Sequence, residues 1–170
     1  MKTVKYVLVS IFSCAIIIGC GGKEEKKKES FSYENKKSKV KEVVKDNLNE
    51  VVLTSNDLMQ FNKTEIKVKA GNKVKLTLRH LGKLDKKIMG HNFVLLKKGV
   101  SISAFGNKAA TFATNEYIPN DTQDIIAHTK LIGAGETTVI EFNAPEVGEY
   151  DFLCSFPGHY AIMKGKFIVE

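Results

Sequence analysis

A chain of 170 residues, 43% of them hydrophobic, can bury one real core and is short for two. Its 26 basic and 19 acidic side chains leave a formal charge of +7. No block of aromatics interleaved with Lys or Arg suggests a nucleic-acid face, so the charge reads as a solvated, lysine-rich surface.

In chain order, Lys2 and Lys5 precede an apolar run over residues 6–18. That run is shorter than the about 20 residues of a membrane-spanning helix. A basic start and a short apolar core predict a secretory signal over residues 1–19. The run ends Ile17-Ile18-Gly19-Cys20, which resembles the lipobox of bacterial lipoproteins. The resemblance implies cleavage before Cys20 and acylation of its thiol, and more than one acyl chain makes anchoring durable. Cys14 is then lost with the signal and Cys20 is modified. Cys154 remains as a lone thiol in an oxidising compartment, a liability unless it is buried or ligated.

Residues 20–48 are crowded with Lys and Glu and too poor in apolar side chains to fold alone. They are expected to form a flexible tether, with room for a short helix over residues 39–48. Residues 49–170 are expected to form the folded domain. Polar and apolar residues alternate through Glu65-Ile66-Lys67-Val68-Lys69, and Ala70-Gly71-Asn72 is a turn signal. Val74, Leu76 and Leu78 alternate with Lys73, Lys75, Thr77 and Arg79. Residues 93–96 read as a strand buried on both faces, and residues 139–142 are read the same way. Residues 100–112 lack the two-residue period and predict one short helix. Tyr150, Phe152 and Cys154 share a strand face, as do Phe167 and Val169. The whole predicts an all-β sandwich or barrel.

The chemistry gathers in Cys154-Ser155-Phe156-Pro157-Gly158-His159-Tyr160-Ala161-Ile162-Met163. A thiolate, an imidazole and a thioether lie in one loop, and Pro157 and Gly158 turn the chain between the first two. Two imidazoles and a thiolate with a weak axial Met make a blue-copper site, so a distant His must complete the set. Structural zinc more usually shows Cys pairs. A Cys–His nucleophile is the other reading, but it leaves Met163 without a role and no oxyanion-stabilising group is evident. No enzymatic activity is expected.

This loop, with Met89-Gly90-His91-Asn92-Phe93-Val94-Leu95, resembles the azurins, bacterial cupredoxins. The likeness continues through residues 57–62, 126–136 and 161–165. It implies an eight-stranded Greek-key sandwich with one helical flap, and one copper ion held by His91, Cys154, His159 and Met163. The Gly90 carbonyl becomes a weak axial contact. Backbone N–H groups of Asn92 and Phe156 are the expected donors to the Cys154 sulfur, with Asn92 and the Ser155 hydroxyl pinning the two ligand loops. The family's disulfide is absent, Asn49 and Asn72 standing at its positions, and its core tryptophan is Phe93. His80 is read as a core histidine whose counterpart in relatives titrates near the site. His128 is read as exposed, Met59 as core and Met89 as surface.

The resemblance further implies an electron carrier in a Gram-negative cell envelope, lipid-anchored with its domain in the periplasm. Gly21 after the lipidated Cys20 favours the outer membrane. Partners would be a c-type cytochrome, a peroxidase or a reductase, docking near His159 on Leu84, Ile88, Met89, Pro157, Tyr160 and Ile162, with Lys83, Lys86 and Lys87 around the rim. The domain is expected to be monomeric. A copper buffer or chaperone of the envelope is the alternative, and a sandwich with a vestigial site is a third reading.

Overall fold

The computed structural model describes residues 48–120 and 122–170. The expected signal, the lipidation site Cys20 and the tether through residue 47 lie outside the described residues. So does the helix expected over 39–48, except that Leu48 itself opens a strand.

Nine strands and two short helices make up the rest. They are β1 (Leu48–Asn56), β2 (Gln60–Phe61), β3 (Glu65–Val68), β4 (Lys73–His80), α1 (Lys86–Met89), β5 (Val94–Leu96), α2 (Ile102–Ala109), β6 (Ile125–His128), β7 (Thr137–Asn143), β8 (Gly148–Leu153) and β9 (Lys164–Val169). One sheet runs β2-β1-β4-β7 and the other β3-β9-β8-β5-β6. Each contains one parallel pair, β1 with β4 and β3 with β9. A parallel pair cannot be closed by a hairpin, so the chain leaves the first sheet after β2, lays down β3 in the second, and returns for β4.

Local pattern explains the elements. Along β4, Val74, Leu76 and Leu78 are fully buried and Lys73, Lys75, Thr77 and Arg79 point the other way. Each of those aliphatic chains stabilises the fold by about 1.5–3 kcal/mol through burial. They meet Leu95, Phe152 and Phe167 of the second sheet in the central core. Strand β5 is buried at every residue because it has two apolar neighbours. Leu95 faces the central core, while Val94 and Leu96 face Phe105 and Ala109 of α2. Helix α2 is capped by Ser101, whose Oγ accepts the Ala104 N–H at 3.4 Å, and Phe105 and Ala109 lie on one face of it.

The all-β sandwich expected is the fold found, and its shortest strand, β2, is two residues long and has no pattern of its own. One expectation needs correction. Strand β7 is not buried on both faces: Val139 is 49% exposed, because it shares with Thr77 of β4 the outer face of the first sheet. Leu48 pairs with Lys73 at one end of the β1–β4 ladder and Ser55 with His80 at the other. The second sheet ends at that latter pole, where Leu153 pairs with Lys164, and Cys154 and Met163 lie just beyond.

Candidate metal centre

Three segments meet at this pole. Strand β8 runs directly into Cys154. The loop after it turns at Gly158, whose φ of 81° suits glycine, and enters a 3-10 turn over His159–Ala161. The third segment, Gly90 to Asn92, precedes β5 and is fixed by His91, whose N–H donates to Ile132 O and whose O accepts the Ile132 N–H, both at 2.9 Å. Gly90 is tightly enclosed, since a Cβ there would come within 2.9 Å of the Leu131 side chain.

The outcome is a buried cluster of two imidazoles and a thiol. Cys154 Sγ lies 3.8 Å from His91 Nδ1 and 3.6 Å from His159 Nδ1, and the three atoms fall within 4.8 Å of one another. Metal bonds of about 2.3 Å to sulfur and 2.0 Å to imidazole, opened to a trigonal angle, separate S from N by about 3.7 Å. The donor set therefore fits one ion, and its N, N, S composition is that of blue copper. Met163 is 1% exposed and tied to both neighbours in the loop: its N–H donates to His159 O at 2.7 Å and its O accepts the Cys154 N–H at 2.9 Å. Gly90 O lies 3.9 Å from Sγ.

Hydrogen bonds set the protonation of the site. Asn56 O, an acceptor only, lies 3.0 Å from His91 Nε2. The ring proton therefore sits on Nε2 and Nδ1 is bare toward Sγ. Burial, with lesser repulsion from His80 and His159, lowers the His91 pKa to about 4. Burial lowers His159 to about 4 as well, so both rings are neutral ligands at pH 7. The Cys154 thiol is pushed up to about 12 by burial, opposed by the N–H groups of Asn92 and Phe156, which both donate to the sulfur. A metal ion must therefore displace its proton on binding.

The loops are pinned together around the sulfur. Asn92 Oδ1 accepts the Ser155 N–H at 2.8 Å, and Asn92 Nδ2 donates to Ser155 Oγ at 2.8 Å and to Glu116 O at 3.3 Å. The Phe156 ring lies 4.6 Å from His159, and Tyr117 meets it edge-on at 5.1 Å. His80 stands apart from the donor set. Its Nδ1 accepts the Gly82 N–H at 2.8 Å, its Nε2 donates to Met89 O at 2.9 Å, and its ring packs 4.5 Å from His91. His128 is exposed, and Met59 is partly buried against the core.

Of the residues expected to form a docking face, Leu84, Ile88 and Ile162 are 39%, 63% and 58% exposed, Pro157 is exposed, and Met89 and Tyr160 are half-buried. Sequence reasoning missed Leu58 and Leu81, at 70% and 67% the most exposed large apolar chains described, because each looks like a core residue when read alone. It also missed Asn56, whose role is played by a backbone carbonyl that any residue type supplies.

Known proteins agree with this geometry. The family described as copper binding proteins, plastocyanin/azurin family, matches residues 47–170. Azurin-1 of Alcaligenes xylosoxydans xylosoxydans is 43% identical over 119 residues, covering 68% of this chain and 92% of that protein. Outer membrane protein H.8 of Neisseria meningitidis serogroup B is 42% identical over 115 residues, covering 66% of this chain and 62% of its own length. Among solved structures, the azurin Az-iso2 of Methylomonas sp. strain J superposes with a TM-score of 0.66 at 31% identity, over 72% of this chain and 98% of its own. Auracyanin A, a "blue" copper protein of Chloroflexus aurantiacus, gives 0.65 at 30% identity, over 72% and 99%. The chain belongs to the plastocyanin/azurin family of copper-binding proteins, and its site is that of a blue-copper electron carrier.

Proposed function

We propose that the domain carries single electrons between redox proteins of a Gram-negative cell envelope, using one copper ion held by His91, Cys154, His159 and Met163. The observation that carries this reading is the buried cluster of two neutral imidazoles and one thiol within 4.8 Å. When bound there, copper supplies the one-electron Cu(II)/Cu(I) couple. The chain's own part is to fix the donors so that little moves when the charge changes. Asn56 orients His91, Asn92 joins the loop of His91 to that of Cys154, and two backbone N–H groups soften the charge on the sulfur. Gly90 O, 3.9 Å from Sγ, would offer the ion a further weak contact.

Of the four donors, His159 is the least buried at 3% exposed, against 0% for His91 and Cys154. It is flanked by exposed Pro157, Gly158 and Ile162, so a partner settles beside its ring. A small apolar face there, rimmed by Lys83, Lys86 and Lys87, suits brief encounters with a c-type cytochrome, a peroxidase or a reductase. Residues 1–19 serve as the export signal. Cys20 carries the lipid, and residues 20–48 are the tether of the 49–170 domain. The 42% identity to an outer membrane protein, H.8, supports placement at that membrane. A buffer or chaperone would need an exchangeable site, and the burial of all four donors speaks against it.

The test is direct. Cu(II) added to the purified full chain gives an intense blue colour that Cys154→Ser abolishes. A colourless product, or one stripped at once by a mild chelator, defeats the electron-carrier reading.

A further inference from the structure

We propose that Tyr160 is a positioning residue for His159, locked into a notch that helix α2 provides; this rests on the reading of His159 as a copper ligand. The two imidazoles are held very differently. Asn56 O fixes the His91 ring through Nε2, whereas among the described residues none accepts from His159 Nε2. The orientation of His159 therefore depends on its backbone and on what packs against the loop. That backbone is a three-residue 3-10 turn, an element too short to be rigid alone.

Tyr160 is the second residue of that turn, and its side chain is turned back on the protein. Its OH donates to Asn107 Oδ1 at 2.7 Å. Its ring lies over Gly106 so closely that a Cβ at Gly106 would come within 2.5 Å of Cγ and 2.8 Å of Cε1. Gly106 is buried inside a helix, where glycine is a poor choice on propensity alone. The notch gives that glycine a reason. The ring also packs against the second core cluster, with Phe105 and Ala109 of α2 and Val94 and Leu96 of β5. Phe156 lies 4.6 Å from the His159 ring. His159 thus packs on Phe156 and sits in a turn bolted to α2 through the next residue. The helical flap acts as the strut of this ligand, and half-buried Tyr160 is the link between them.

Amide exchange in the metal-free full chain tests this without copper. The N–H groups of Ile162 and Met163 both donate to His159 O and report on the turn. Tyr160→Phe removes one hydrogen bond, so exchange at these two amides rises about two- to twelve-fold, while the amides of β4 keep their rates. Gly106→Ala is the sharper variant. Helix propensity favours alanine, yet here it fills the notch, and the same two amides exchange faster. In the copper-loaded chain both variants lose metal to a chelator faster than wild type. Unchanged exchange at Ile162 and Met163 overturns the proposal, as does an equal rise across β4, which would mark a general loss of stability. A wild-type chain that takes up no copper overturns the ligand reading and this inference together. A copper-binding wild type with indifferent variants overturns this inference alone.

Discussion

Asn92 carries more of the site than its neutral side chain suggests. It is fully buried, and its amide satisfies the Ser155 N–H and the Ser155 hydroxyl while its own N–H reaches the Cys154 sulfur. Asn92→Ala strands these Ser155 groups in a dry interior at about 1–3 kcal/mol for each. Urea unfolding of the metal-free variant should show that loss, and an unchanged midpoint would remove the residue from the structural account. The two ligand imidazoles make a prediction of their own. Burial lowers both from 6.5 to about 4, so below about pH 6.5 the unfolded chain takes up protons that the native state refuses. Stability of the metal-free protein therefore falls as pH drops from about 6.5 to 4, and is insensitive to these groups above that window. Asp57, lowered chiefly by the Lys83 N–H, acts in the same direction only below its ordinary 3.8. A metal-free protein with the same urea midpoint at pH 5 and pH 7.5 would contradict this. Cys154, His159 and Met163 were legible in the sequence because one loop contains them. His91 was reached only through resemblance, since nothing in residue spacing distinguishes it from His80, which ends a strand directly beneath its ring.

Among the elements, the staple between the sheets takes an unexpected form. Where relatives are expected to carry a disulfide, the Asn49 side chain at the start of β1 brackets Lys69 just after β3. It donates to Lys69 O at 2.9 Å and accepts the Lys69 N–H at 3.0 Å. This pair joins the end of one sheet to the end of the other. Asn49→Ala should cost about 0.5–1.5 kcal/mol for each bond lost. Replacing both Asn49 and Asn72 by Cys trades that bracket for a cross-link typically worth about 2–4 kcal/mol. A net gain in the oxidised protein, reversed by reductant, is the expected outcome in thermal unfolding; no gain would show that the bracket already does the work. The elements themselves were legible where one rule decided them. The alternation of β4 fixed its faces, and the continuous run of β5 correctly signalled two apolar neighbours. The same reading failed at β7, because apolar Val139 and Phe142 look alike in sequence although they lie on opposite faces of the sheet, only Phe142 against the core. Strand β2 had no pattern to read, being held by its antiparallel pairing with the last residues of β1.

Across the whole molecule the sandwich has a direction. The chain enters at Leu48, beside Lys73, and β1 carries it to Asn56 at the metal pole. Leu48, the first described residue of the domain, therefore lies at the pole opposite the metal centre. The docking face proposed beside His159 is apolar with a basic rim. Lys83, Lys86 and Lys87 are exposed, and Asp85 and Glu116 offset them only in part, the latter 3.8 Å from Lys86. Uncompensated surface lysines beside an apolar contact speed encounter with acidic partners more than they tighten the complex. Raising ionic strength from 0.01 to 0.15 M shortens the screening length from about 30 to about 8 Å. The second-order rate of electron transfer to an acidic cytochrome should then fall about tenfold or more. Lys83→Glu with Lys87→Glu should slow the low-salt rate toward the high-salt value and leave the blue absorption intact, since neither side chain touches a ligand. A rate indifferent to salt in the native chain would mean that the apolar contact alone selects the partner and that the lysines serve only solubility.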